Sequence, residues 1–94
     1  MITSFKCKET EKVFRRRFSR KLPQDIRRKA QIKLYMLDAA ADLKSLQIPP
    51  ANRLEPLSGK RRGQHSIRIN DQWRICFEWE SGGAGNVEIV DYHK

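Results

Sequence analysis

The chain has 94 residues, 38% hydrophobic and 33% charged, so one globular domain over residues 1–94 with a modest core is expected rather than disorder. Lys and Arg number 20 against 11 acidic residues, and the net charge of +9 makes polyanions the expected partners, nucleic acid ahead of acidic protein and anionic lipid. No run is apolar for long enough to span a bilayer, and residues 1–6 lack the apolar stretch of a secretory signal, so no membrane association and a cytoplasmic location are expected.

Residues 2–7 alternate Ile2, Ser4 and Lys6 against Thr3, Phe5 and Cys7, which predicts a short opening strand. Thr10 is the expected N-cap of a first helix, followed by Glu11 at its positive end. Val13, Phe14 and Phe18 then form a narrow apolar stripe, and Arg20 and Lys21 close the helix where cations are favoured. Pro23 opens a second helix at a position where its missing N–H is harmless. Within it Ile26, Ala30, Leu34, Leu37 and Ala41 recur at helical spacing, and Pro49 and Pro50 bar continuation.

Residues 51–64, "ANRLEPLSGKRRGQ", read as a basic loop containing glycine. In "HSIRIN" Ile67 and Ile69 share one face. After a polar turn at Asn70, Asp71 and Gln72, "WRICFEWE" places Trp73, Ile75, Phe77 and Trp79 on one face and Arg74, Cys76, Glu78 and Glu80 on the other. "SGGAGN" reads as a flexible turn before a last strand over residues 87–91. The consistent assembly is α+β in the order β-α-α-β-β-β: an antiparallel sheet with two N-terminal helices packed on its apolar face. Both tryptophans then belong to the core, and the opposite face, carrying Arg68 and Arg74, is left open to a polyanion.

Cys7 and Cys76 lack metal or redox spacing and are expected as reduced, packed thiols. His65 and His93 are not at metal-ligand spacing either, so chemistry here is expected to need no metal or other cofactor. RNA cleavage without a metal requires a base for the 2′-OH, cations for the phosphorane, an acid for the leaving 5′ oxygen, and a means of alignment. Arg74 offers a planar fork for phosphate, His93 a proton shuttle near neutral pH, Tyr92 a stacking surface or hydrogen-bond donor, and Glu55 a base. Each has an ordinary alternative: Arg74 paired with Glu78, Glu55 balancing Arg53 or Lys60, His93 simply exposed. Alternation along the last strand puts Tyr92 on the side of Arg74, and Asp91 and His93 on the other.

At "LEPLSGKRRGQHSIRINDQWRICFEWE" and the closing "VEIVDYH" the sequence resembles the RelE/ParE superfamily of bacterial toxins, and within it the HigB, or plasmid maintenance system killer, branch. The resemblance covers essentially the whole chain and is most specific at "GQHSIRINDQWRICF". It implies ribosome-dependent, metal-free mRNA cleavage and a partner antitoxin of the HigA-like helix-turn-helix type. Arg74 matches the phosphate-contacting arginine of HigB toxins, and Asp91, Tyr92 and His93 match their C-terminal catalytic trio. The loop departs from HigB toxins that carry a His before the Pro-Leu pair and a Lys after it, since Glu55 and Ser58 stand there. "EPL" followed by a basic loop and "SIRI" also resembles the YoeB toxins of the superfamily, in which that Glu is a general base. The remaining cations, Arg15, Arg16, Arg17, Arg27, Arg28, Lys29, Lys60, Arg61, Arg62 and Arg68, are too many for one site and suit a broad surface facing ribosomal RNA, a solvated helix face being the alternative. The competing functions are a ParE-like gyrase inhibitor and a non-catalytic toxin that binds RNA or the ribosome.

Overall fold

Two α-helices precede four β-strands in the computed structural model, which describes residues 1–92: α1 (Lys8–Phe14), α2 (Gln24–Ala39), β1 (Glu55–Pro56), β2 (Gln64–Arg68), β3 (Trp73–Glu80) and β4 (Gly83–Asp91). The strands form one antiparallel sheet in the order β1-β2-β3-β4. This is the expected α+β architecture. Ile26, Ala30, Leu34 and Leu37 of α2 are buried, as their spacing predicts, and join Ile67, Ile69, Ile75, Phe77, Val87 and Ile89 in the core. Trp73 and Trp79 are partly buried at the margin of that core rather than at its centre. No helix among the described residues is long and apolar enough to cross a membrane.

The opening strand takes another form. Residues 2–5 run parallel to the free edge of β4 and touch it through isolated bridges, Ile2 with Ala84 and Phe5 with Val87. The N–H of Thr3 donates to the carbonyl of Ala84 at 2.7 Å, Ala84 N–H returns a bond to Met1 at 2.8 Å, and Val87 N–H donates to Ser4 at 3.1 Å. The fourth strand of the sheet is instead β1, two residues from within the basic loop, paired with Ser66 and His65 of β2.

Thr10 is not a helix cap. α1 begins at Lys8 behind Cys7, and Thr10 is fully buried, its Oγ1 accepting the Ile89 N–H of β4 at 2.9 Å. A strand edge with no neighbour leaves that N–H without a ladder partner, and the threonine supplies one. α1 also stops at Phe14. Arg16 turns to a φ of 60°, and the Arg17 N–H closes the helix end on the Lys12 carbonyl at 2.7 Å. Phe18, expected on the apolar stripe, is therefore carried out of the helix and is 68% exposed.

α2 is preceded by Pro23 at its N-cap and ends at Ala39, well short of Pro49. Asp42 intervenes: its carboxylate accepts the Ser45 N–H at 2.8 Å and its carbonyl the Ser45 hydroxyl at 2.7 Å, opening a 3₁₀ turn at Lys44–Gln47. Ala41 is exposed in consequence, and Ala40 takes the core position. The "SGGAGN" segment is not one loop. Ser81 and Gly82, with φ of 53° and 77°, make a two-residue hairpin turn, and β4 begins directly at Gly83. A side chain at Gly83 would meet the Thr3 side chain at 2.9 Å, so the opening segment can lie this close only over glycine. Asn86, with a φ of 49°, is the extra residue of a bulge opposite Phe77, and it allows Ala84 and Val87 both to face inward.

Replacing Thr10 by Val keeps the volume but leaves the Ile89 N–H buried without an acceptor. The expected loss is about 1–3 kcal/mol of stability, read as a lower urea midpoint at unchanged slope, with Thr10→Ser recovering part of it.

Candidate functional site

The sheet face turned away from the helices carries Glu55, Ser66, Arg74, Cys76, Glu88 and Tyr92, because cross-strand partners share a face and alternate residues follow them. This face is not bare: Ser66 and Cys76 are fully buried beneath the side chains that cross it.

Arg74 is the centre of the site. Its Nε–H donates to Ser66 Oγ at 2.7 Å, and its Nη2 donates to the carbonyls of Arg53 at 2.6 Å and Ser66 at 3.3 Å. Glu55 Oε1 lies 3.6 Å from the same Nη2, and the Arg74 side chain is only 11% exposed. Among the described residues Nη1 makes no hydrogen bond, which leaves that nitrogen of a fixed guanidinium to donate to an anion. The Arg53 carbonyl reaches this position because Arg53 adopts a left-handed φ of 44°. Asn52, just before it, is fully buried: its Nδ2 donates to the Leu46 carbonyl at 3.1 Å and to Met36 Sδ at 3.2 Å, and its Oδ1 accepts from Lys33 Nζ. Burial lowers the pKa of that ammonium. The loop holding Glu55 is thereby tied to α2.

Tyr92 is held at the same end of the sheet. Its backbone N–H donates to the Gln72 carbonyl at 2.7 Å, and the Arg74 guanidinium carbon sits 5.8 Å from the ring centroid, a cation–π contact. The Tyr92 hydroxyl lies near the Cys76 thiol beneath it. Burial, first of all, pushes both groups above their ordinary pKa. Next to them Arg61 Nη1 donates to Glu88 Oε1 at 2.9 Å and to Gln64 Oε1 at 3.0 Å, and the Glu88 bond raises the guanidinium pKa.

Three of the five candidate catalytic residues thus come together: Glu55, Arg74 and Tyr92. Asp91 stands opposite Trp73 on the other side of β4, where its Oδ2 accepts from Gln72 Nε2 at 3.1 Å. His93 lies outside the described residues. The alternative pairing of Arg74 with Glu78 is not formed, and Glu78 instead accepts from Asn86 Nδ2 at 3.1 Å. The candidate RNA-binding cations divide between two faces. On the sheet side Lys60 and Arg62 are exposed, Arg61 is held by Glu88, and Arg68 is paired with Asp71. On the helical side Arg15 is paired with Glu11 at 2.9 Å, Arg16 Nε donates to the Tyr35 hydroxyl at 2.9 Å, Arg17, Arg27 and Arg28 line a groove, and Lys29 is exposed. Ser66, Cys76 and Glu88 were not among the candidates, although strand alternation from Arg74 leads to all three. Nothing in the sequence marks the Arg53 carbonyl.

Cys76 generates a prediction. A buried thiol with a raised pKa stays protonated in the native state above pH 9.0, its ordinary value, while the unfolded chain loses the proton. Its contribution to stability is full below that pH and is lost above it, and Cys76→Ser should flatten this alkaline loss in urea titrations. Iodoacetamide should label Cys76 only after unfolding.

Residues 3–93 match the family described as "RelE-like toxin of type II toxin-antitoxin system HigB". Toxin HigB-1 of Vibrio cholerae serotype O1 is 44% identical over 75 residues, which cover 80% of this chain and 78% of that protein. Endoribonuclease HigB of Proteus vulgaris is 34% identical over 94 residues, covering 99% and 100%. Among solved structures, YafQ from E. coli, crystallised as a histidine-to-glutamine variant, matches with a TM-score of 0.61 at 12% identity, covering 97% of this chain and 93% of that one. The YoeB–YefM complex from Staphylococcus aureus gives 0.60 at 14%, covering 100% and 99%. At such identities the structural likeness speaks for the fold alone. With the family match and two relatives above 30% identity, the chain belongs to the HigB-like, RelE-type toxins of type II toxin–antitoxin systems, whose members are paired with an antitoxin.

Proposed function

We propose that this toxin is a ribosome-dependent mRNA endonuclease that blocks translation in the cytoplasm and is neutralised by a HigA-like helix-turn-helix antitoxin. The observation that carries the reading is Arg74, a guanidinium held by three hydrogen bonds with Nη1 unbonded among the described residues, beside the Glu55 carboxylate and the Tyr92 ring. A cation fixed in advance stabilises developing phosphorane charge without reorganising, whereas a flexible surface arginine would have to be ordered first. The name of the Proteus vulgaris relative, an endoribonuclease, supports the same chemistry.

In this mechanism Glu55 takes the proton from a 2′-OH, whose oxygen attacks the adjacent phosphorus. Arg74 holds the equatorial oxygens of the phosphorane. His93, assigned from the sequence, protonates the departing 5′ oxygen, so the products are a 2′,3′-cyclic phosphate and a 5′-hydroxyl. Tyr92 stacks on or hydrogen-bonds the substrate, and Asp91, the residue leading toward His93, helps orient substrate or imidazole. The basic residues outside this cluster position the domain on ribosomal RNA.

Single-turnover cleavage of mRNA on programmed ribosomes tests the assignment. Arg74→Ala should slow cleavage by about 100–1,000-fold. Arg74→Lys should not restore it, because a single ammonium cannot keep the Ser66 and Arg53 bonds and also present a donor to phosphate. Glu55→Gln and His93→Gln should each cost about 100–10,000-fold. Wild-type rates in Arg74→Ala would remove the mechanism, and translation arrest without mRNA fragments would identify a binding toxin instead.

A further inference from the structure

Phe18 sits where folding gives an apolar ring no reason to be. It is 68% exposed, yet the backbone around it is pinned on both sides. Ser19 is buried and its hydroxyl donates to Glu9 Oε1 at 2.6 Å, and Leu22 is in the core. Upstream, the left-handed turn at Arg16 and the bond from Arg17 N–H to the Lys12 carbonyl close α1. The ring is therefore presented outward by ordered chain.

The ring borders a groove of about 680 Å³ between the end of α1 and the first half of α2. Arg16, Arg17, Arg27 and Arg28 line it, and among the described residues no carboxylate lines it. Arg16 is fixed in place by Tyr35, with its guanidinium carbon 5.7 Å from that ring's centroid. Arg27 places its guanidinium carbon 5.1 Å from the centroid of Phe18, and its buried Nε has no hydrogen-bond partner among the described residues. Four cations, an unsatisfied donor and one open aromatic face converge on a concave surface.

We propose that this groove binds one unpaired RNA nucleotide, its base stacked on Phe18 and its flanking phosphates held by Arg16, Arg17, Arg27 and Arg28. Every nucleobase has a π-face to lay on a phenyl ring, and planar guanidinium groups suit both phosphate oxygens and the edge of such a stack. An acidic amphipathic helix fits less well. It needs an apolar trough, and among the described residues the only other apolar one lining the groove is Val13, which is buried. The groove lies on the helical layer, whereas Arg74 projects from the opposite face of the sheet. The nucleotide is thus a ribosomal one and not the scissile one, a conclusion that rests on the ribosome-dependent reading above.

The test compares wild type with Phe18→Ala, Phe18→Leu and Phe18→Trp for affinity to vacant ribosomes and to a short fluorescent single-stranded RNA. Phe18→Ala and Phe18→Leu should each weaken binding roughly tenfold, and Phe18→Trp should retain or exceed wild-type affinity. An exposed ring leaves urea stability unchanged on removal, which separates lost binding from lost folding. Wild-type affinity in Phe18→Ala would overturn the proposal, as would full affinity in Phe18→Leu, because any apolar surface would then suffice. Loss of binding to an acidic antitoxin with RNA affinity intact would overturn it in favour of a protein partner. Cleavage of translated mRNA by wild type is scored in parallel. Its absence, with Phe18-dependent RNA affinity retained, removes the endonuclease and leaves the groove.

Discussion

β4 is hydrogen-bonded along both edges, and the placement of the other elements follows from that. One edge pairs with β3; the other receives residues 1–6 and, one turn into α1, the hydroxyl of Thr10. A strand with one side unpaired presents donors and acceptors that must find partners or water. Here the first residues of the chain supply them. Ile2 N–H also donates to Asp38 of α2 at 2.8 Å, so the same segment ties the strand to the second helix. The result is a rigid platform whose far end delivers Asp91 and Tyr92.

The site on the other sheet face is built on a different constraint: a mostly buried guanidinium must be satisfied. Taking a cation out of water costs several kcal/mol unless it is paired and hydrogen-bonded. Ser66, the turned-in Arg53 carbonyl and Glu55 offset that cost for Arg74, and they fix its orientation while doing so. Glu88 does the same for Arg61 beside it. Two cations on this face are thus fixed by bonds to the sheet as well as being sources of field, whereas the helical face presents its cations around an exposed ring. The division separates cations locked by hydrogen bonds from cations arrayed around an exposed ring.

Much of the architecture is legible from periodicity because burial itself imposes the period. Ile67 and Ile69, the run from Trp73 to Trp79, and Ile26 through Leu37 alternate or recur because one side of each element meets the core. The same alternation places Tyr92 with Arg74 and Asp91 apart from it. What escapes is set by single non-local contacts. Thr10 looks like a cap, since a hydroxyl before a helix does cap elsewhere, and only the uncovered Ile89 N–H makes it a strand partner. Arg16 in a left-handed turn and Asn86 at a bulge carry no local signature, so the end of α1 and the start of β4 are misplaced by pattern alone. β1 is two residues long, too short for alternation to register. For the candidate site, residue types point to Arg74, Glu55 and Tyr92, whereas the backbone carbonyl that orients Arg74 is invisible to any reading of side chains.

The contact between the opening segment and β4 also governs how the protein comes into being. Thr3 and Ala84 are 81 positions apart, so this pairing closes a very long loop and forms only after residues 83–87 have been synthesised. Until then the helices have no complete sheet to cover, and Tyr92 has no strand to carry it. A nascent chain therefore passes through translation with Glu55, Arg74 and Tyr92 not yet brought together, and they meet only when the last strand docks.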